Sequence, residues 1–202
     1  MTIEIVDYDP AWPREFETIA ARIRDACGEF IETVEHIGST AVPGLAAKDV
    51  IDVQLVARGF HEGLAARLGA LGYRRLEAIV ADHVPPQAEG SANSSITASD
   101  WAKWFFRGPK NERSINLHVR IAGRANARYA VLFRDYLRRH PVAATAYAQV
   151  KRELARLHAD DIEAYYDVKD PVCDLIWIAA QGWEPQVRGI EDCAHGASNT
   201  GP

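Results

Sequence analysis

Residues Glu35–Leu55 read EHIGSTAVPGLAAKDVIDVQL, and the way this stretch folds decides the rest. It predicts a strand, a tight turn at Gly38-Ser39, and a second strand that carries Asp52. Gly38 lets the backbone turn closely and leaves room beside it. Ser39 offers a hydroxyl and an amide at what reads as a helix start. A turn of this kind presents several unpaired N–H groups, the usual cradle for phosphate. Asp52, on the following strand, is suited to hold a cation against the same phosphate. Phosphate chemistry is therefore the leading reading.

Parity along the strands says which side chains face the turn. If residues 48–55 are extended, Lys48, Val50, Asp52 and Gln54 share one face, and Asp49, Ile51, Val53 and Leu55 the other. WAKWFFRG (101–108) and SINLHVRIA (114–122) both alternate across a turn with Gly108-Pro109, which predicts an antiparallel hairpin. Leu117, Val119 and Ile121 then face the core and Asn116, His118 and Arg120 the opposite side. Trp104 and Phe106 alternate in the same way with Lys103, Phe105 and Arg107. A site bordered by Asp52, His118, Lys103 and Arg107 is mainly cationic and suits an anionic ligand.

The remaining elements follow from caps and periodicity. Asp9-Pro10 opens a helix whose apolar positions are Phe16, Ile19, Ala20, Ile23 and Cys27. Residues 31–37 form a strand, 60–70 a helix, and Tyr73–Val80 another strand. The polar segment PPQAEGSANSSITASD (85–100) reads as a mobile loop. Tyr129, Leu132, Phe133, Tyr136 and Leu137 form one helical stripe. Tyr147, Val150, Leu154 and Leu157 form a second after Pro141. Asp170-Pro171 predicts the opening of a last helix running to Trp183, and the Gly-, Asn- and Ser-containing tail at 184–202 reads as disordered.

With 202 residues, the chain is long enough for one domain with a helical extension and a sizeable core. No apolar run approaches the roughly 20 residues that span a bilayer, and the acidic N-terminus lacks a signal-peptide core, so a cytoplasmic location is expected. Cys27, Cys173 and Cys193 form no CxxC pair, which argues against a disulfide framework or a structural zinc site. A net charge of −5 argues against affinity for a nucleic-acid backbone, so no nucleic-acid partner is expected.

HIGSTAVPGLAAKDVIDV resembles the signature of the GrpB-like family (UPF0157), which is placed in the nucleotidyltransferase superfamily. NLHVR (116–120) and DPVCDLIWIAAQGW (170–183) are also similar to that family, so the resemblance covers most of residues 3–183. It implies an α/β (α+β) fold: a small mixed sheet of nucleotidyltransferase type with a C-terminal helical extension. It also implies a nucleoside triphosphate such as ATP as substrate, and Mg²⁺ as a cofactor for nucleotidyl transfer to a small acceptor. Gly38, Ser39 and Thr40, with Lys103 and Arg107, would bind the nucleotide. Asp52, with Gln54, would bind the metal, and Lys48 or His118 would meet the developing charge. The superfamily pattern has a second carboxylate where Gln54 stands, and a third near Asn116 or His118. Such carboxylates hold two Mg²⁺ ions that neutralise the triphosphate.

Plainer readings stand beside these. Gly38-Ser39 also suits an ordinary strand-to-helix turn with a Ser cap, and Asp52 a charge paired with Lys48 or an arginine. His118 also suits a hydrogen-bonded core residue. Lys103, Arg107 and Arg113 also suit the blunting of an exposed hairpin edge. Two further functions fit the same pocket. One is a catalytically silent nucleotide or anion sensor that has lost metal-binding carboxylates. The other is a different ATP-using activity, ligation or phosphoryl transfer.

Overall fold

The fold is described from a computed structural model, over residues 2–85 and 97–196, with side chains as far as Trp183. Five strands form one mixed sheet in the order β1-β2-β5-β4-β3. They are β1 (Ile31–Ile37), β2 (Ile51–Ala57), β3 (Arg74–Arg75), β4 (Trp104–Arg107) and β5 (Ile115–Ile121). β2 runs antiparallel to β1 and parallel to β5, and β4 and β5 form the expected antiparallel hairpin. α1 (Trp12–Cys27) and α2 (Glu62–Ala70) cover one face of this sheet. α3 (Ala125–Arg139), α4 (Pro141–Leu157) and α5 (Ile162–Gly196) make up the helical segment. No helix among the described residues is long and apolar enough to cross a membrane.

The alternation read from β2 and β5 sets this arrangement. Ile51, Val53, Leu55, Leu117 and Val119 are completely buried against Phe16, Ile19 and Ile23 of α1 and Leu64 and Leu68 of α2. Each such side chain contributes about 1.5–3 kcal/mol through burial. The opposite face carries Asp52 and Gln54 of β2, in register with Asn116 and His118 of β5. Phe105 and Arg107 of β4 pair with His118 and Asn116 and extend that face.

A second apolar cluster fixes the connection between β1 and β2. Val42, Leu45 and Ala46, each 1% exposed, pack on Phe133 and Leu137 of α3 and on Ala144, Tyr147 and Ala148 of α4. The helical segment therefore clamps the turn that follows Gly38.

Three elements differ from the sequence expectations. The strand expected over Tyr73–Val80 is only Arg74–Arg75, because β3 is an edge strand and Ile79 and Val80 are exposed, leaving no buried face for a longer pleat. β2 begins at Ile51, so Lys48 lies outside the strand and its parity. The last helix begins at Ile162, where Asp161 Oδ1 accepts from the Ala164 N–H at 3.0 Å, and Pro171 lies inside it. The loop expectation at 85–100 falls mostly on residues outside the described ones, although Ala98–Trp101 form a short 3₁₀ turn capped by Thr97. The tail expectation at 184–202 falls on side chains outside the described ones, and the α5 backbone extends to Gly196.

Candidate functional site

Gly38 ends β1 with φ of +70°, in the region where only glycine is at ease. A Cβ built there would lie 2.5 Å from Asp52 Oδ2, so the carboxylate is packed directly against the turn. Ser39–Ala41 then form a 3₁₀ turn. Ser39 is half-buried. Thr40 is sealed in: its hydroxyl donates to Val50 O at 3.3 Å and lies 3.0 Å from His36 Nε2. The Thr40 side chain therefore closes the turn from inside and offers nothing to a ligand. His36, stacked on Phe16, is kept neutral by burial, which lowers its pKa to about 4.

On the sheet, Asp52 Oδ1 accepts from Asn116 Nδ2 at 2.8 Å and lies 3.8 Å from His118 Nε2. Arg120 lies 3.4 Å from His118 Nδ1. As the guanidinium can only donate, the ring proton belongs on Nε2, toward Asp52. Burial, with Arg120 and Lys103 nearby, lowers the His118 pKa to about 4, so the ring is neutral at physiological pH. Arg107 donates to Asn116 Oδ1 and caps this end of the sheet. Asp49 precedes β2, outside the strand's parity, and is held by Trp12 Nε1 at 2.8 Å and by Arg113.

Two residues expected at the site are committed elsewhere. Gln54 is fully buried, its carbonyl oxygen accepting from Arg120 at 2.7 Å and its amide donating to Ala127 O at 3.1 Å. That oxygen already faces a cation, so Gln54 is not a metal ligand. Lys48 reaches α5 instead of Asp52. Its ammonium lies 3.2 Å from Tyr166 Oη and 4.6 and 4.7 Å from the centroids of the Tyr165 and Tyr166 rings. Lys103 is on the site face, but its ammonium donates to Asp82 at 2.7 Å.

Asp82 is a residue that sequence reasoning missed. It takes Lys103 and two Arg120 nitrogens, the latter both at 2.8 Å, together with Asn126 Nδ2 at 3.1 Å. Burial raises its pKa, but Arg120 and Lys103 outweigh this and hold the carboxyl far below the ordinary range. The missed cation is Lys151 of α4. Only 3% exposed, it donates to Ser39 Oγ at 2.7 Å and to Ala46 O. The available signal was its phase: Lys151 lies four residues after Tyr147 and three before Leu154, inside the buried stripe.

These donors do not form the two-metal set that the superfamily pattern implies. Of the positions concerned, only Asp52 is a carboxylate. Gln54 and Asn116 accept from arginines. Among the described residues, no group of three His, Cys, Asp or Glu side chains is arranged to hold a metal ion. The positive charge near Asp52 comes from the chain itself. Two hollows lie elsewhere on the molecule. One, of about 400 Å³, sits between β1, β2 and α3. The other, of about 440 Å³, runs along the β1 edge beside Arg134 and Arg138. Neither is lined by residues 38–40.

Residues 2–177 match the family described as GrpB protein. A dephospho-CoA kinase of Mycolicibacterium paratuberculosis is 36% identical over 197 residues, covering 91% of this chain and 48% of that protein. The chain thus spans about half the length of the mycobacterial relatives it matches. The UPF0157 protein BH1888 of Halalkalibacterium halodurans is 34% identical, covering 87% of this chain and 80% of that one. The crystal structure of the conserved protein GrpB from Enterococcus faecalis superposes with a TM-score of 0.69 at 28% identity, covering 89% of this chain and 99% of that one.

Proposed function

Because this chain belongs to the GrpB (UPF0157) family, we propose that it binds a nucleoside triphosphate at the Gly38-Ser39 turn, as an anion-binding module that does not depend on a bound metal. The observation that carries this reading is the packing of Gly38, at φ +70°, directly onto the Asp52 carboxylate. A plain strand-to-helix turn needs neither the glycine conformation nor a carboxylate wedged beneath it. The half-exposed Ser39 hydroxyl and the first amides of the 3₁₀ turn, which have no partner inside it, are the donors for phosphate oxygens.

Charge distribution favours the binding module over the transferase. Nucleotidyl transfer by the superfamily's route needs several carboxylates around two cations. Here the neighbours of Asp52 are Asn116, the neutral His118 and, beyond them, Arg107 and Arg120. Arg107, at the exposed end of the sheet, is placed to meet phosphate oxygens. The kinase named for the mycobacterial relatives belongs to proteins about twice the matched length. The phosphate loop G-x-x-x-x-G-K-[ST] that serves many phosphoryl-transfer enzymes does not occur in this chain.

Thermal unfolding with ATP, tripolyphosphate or adenosine tests the reading. A ligand at a hundred times its dissociation constant stabilises the folded state by about 2.7 kcal/mol. ATP and tripolyphosphate should raise the midpoint, and adenosine should not. A shift with adenosine and none with tripolyphosphate would place recognition on the base and refute the phosphate site.

A further inference from the structure

Four lysine or arginine residues are buried among the described residues: Lys103, Arg120, Arg134 and Lys151. Three of them hold carboxylates. Lys103 and Arg120 share Asp82, and Arg134 bonds Glu35 at 3.0 Å and Asp135 at 2.7 Å. Lys151 has no carboxylate at ion-pairing distance among the described residues. Its ammonium meets Ser39 Oγ, Ala46 O and the face of the Tyr147 ring, whose centroid is 4.6 Å away. A buried charge is ordinarily paired, so an unpaired one behind the half-exposed Ser39 marks where a ligand's opposite charge belongs.

The direction of the hydrogen bond adds to this. An ammonium only donates, so Ser39 Oγ must be the acceptor. The hydroxyl proton is thereby free to point away from Lys151, toward the open side of the turn. Ser39 becomes an outward donor with a cation 2.7 Å behind it. The other charged and titratable groups around Lys151 are Tyr147 and Arg152 on α4, Cys173 and Lys169 on α5, and Asp52 across the turn. Burial dominates and lowers the Lys151 pKa to about 7. Lys169 and Arg152 push the same way, against Cys173 and Asp52.

We propose that the ligand at the Ser39 turn is a phosphate-type oxyanion balanced by Lys151 through the Ser39 hydroxyl, and that it binds with uptake of a proton from solvent onto Lys151 Nζ. This rests on the proposed function and adds to it a counter-cation and a pH dependence. Lys151 is a positioning residue: it sets the direction of the Ser39 hydroxyl and supplies charge without touching the ligand. Above neutral pH the free protein carries Lys151 largely neutral. An arriving anion favours the ammonium, so binding draws in a proton and weakens as pH rises.

The test is calorimetric titration of ATP at pH 6.5 to 9, each pH in two buffers of different ionisation enthalpy, on the full chain and on Lys151→Met. For the unaltered chain, uptake should approach one proton at pH 8, and affinity should fall by up to about tenfold per pH unit above pH 7.5. Lys151→Met should take up no proton at pH 8 and bind about tenfold more weakly at pH 6.5. If that variant fails to fold, the pH profile of the unaltered chain decides. Binding with no proton uptake at pH 8 and a flat profile from 7.5 to 9 would overturn the Lys151 role while leaving the triphosphate site standing. Failure of ATP to bind at any pH would remove both.

Discussion

Asp82→Asn is expected to lower the unfolding free energy by about 3–5 kcal/mol, the usual penalty for leaving a buried charge without its partner. Among the described residues, Asp82 is the carboxylate that Lys103 and Arg120 share, and their side chains are 10% and 5% exposed. The asparagine keeps the shape but leaves two buried cations uncompensated beneath the site face. Arg120 also orients Gln54 and His118, so the loss should spread across the β2–β5 contact. The same carboxylate sets an acid response. Its folded pKa is depressed, so its stabilisation is fully present above the unfolded value of about 4 and is lost as pH falls toward the folded value. Urea titrations at pH 7 and pH 3 measure both effects. An Asp82→Asn loss below about 1 kcal/mol at pH 7 would mean that solvent screens the cluster.

Gly38→Ala is expected to cost about 1–3 kcal/mol from the backbone alone, since φ +70° with ψ −169° is a region essentially confined to glycine, and to weaken triphosphate binding by more than about tenfold. The second effect arises because the added Cβ would meet Asp52 Oδ2 at 2.5 Å, so either the carboxylate or the turn must move. Gly123→Ala is the control. Gly123 has φ of +78°, but an added Cβ meets nothing within 4 Å. It should show the backbone penalty in thermal unfolding with nucleotide affinity unchanged. Equal loss of affinity in both variants would show that Gly38 acts only through global stability.

The sheet was largely legible in the sequence because its signal is local. Val53, Leu55, Leu117 and Val119 alternate with polar residues, and that parity alone places Asp52, Asn116, His118 and Arg120 on one face. The fold class implied by the GrpB resemblance agrees with the mixed sheet and its helical segment. The partnerships on that face were not legible. Gln54 is on the expected side, yet its oxygen belongs to Arg120, and only tertiary packing decides which of two neighbours a buried amide serves. Lys48 fell under a parity argument that holds only inside a strand, and the strand starts three residues later. Asp82 lies in an irregular segment after a two-residue edge strand, where no periodicity points anywhere. Asp170-Pro171 looked like a helix opening because Pro is favoured in a first turn, whereas Asp161 supplies the cap and Pro171 is carried inside. Lys151 stands in phase with an apolar stripe, where a lysine is easily taken for a solvated interruption.

If phosphate is held at the Gly38-Ser39 turn by the chain's own donors and cations, as proposed, a bound metal adds little to its affinity. Calorimetric titration of ATP with and without Mg²⁺, on the unaltered chain and on Asp52→Asn, tests it most directly. Affinities with and without the ion are expected to agree within about threefold. Asp52→Asn is expected to bind as well or better, because the substitution removes repulsion between two anions. A gain of about tenfold or more with Mg²⁺, abolished by Asp52→Asn, would contradict it and identify Asp52 as the ligand of a working metal site.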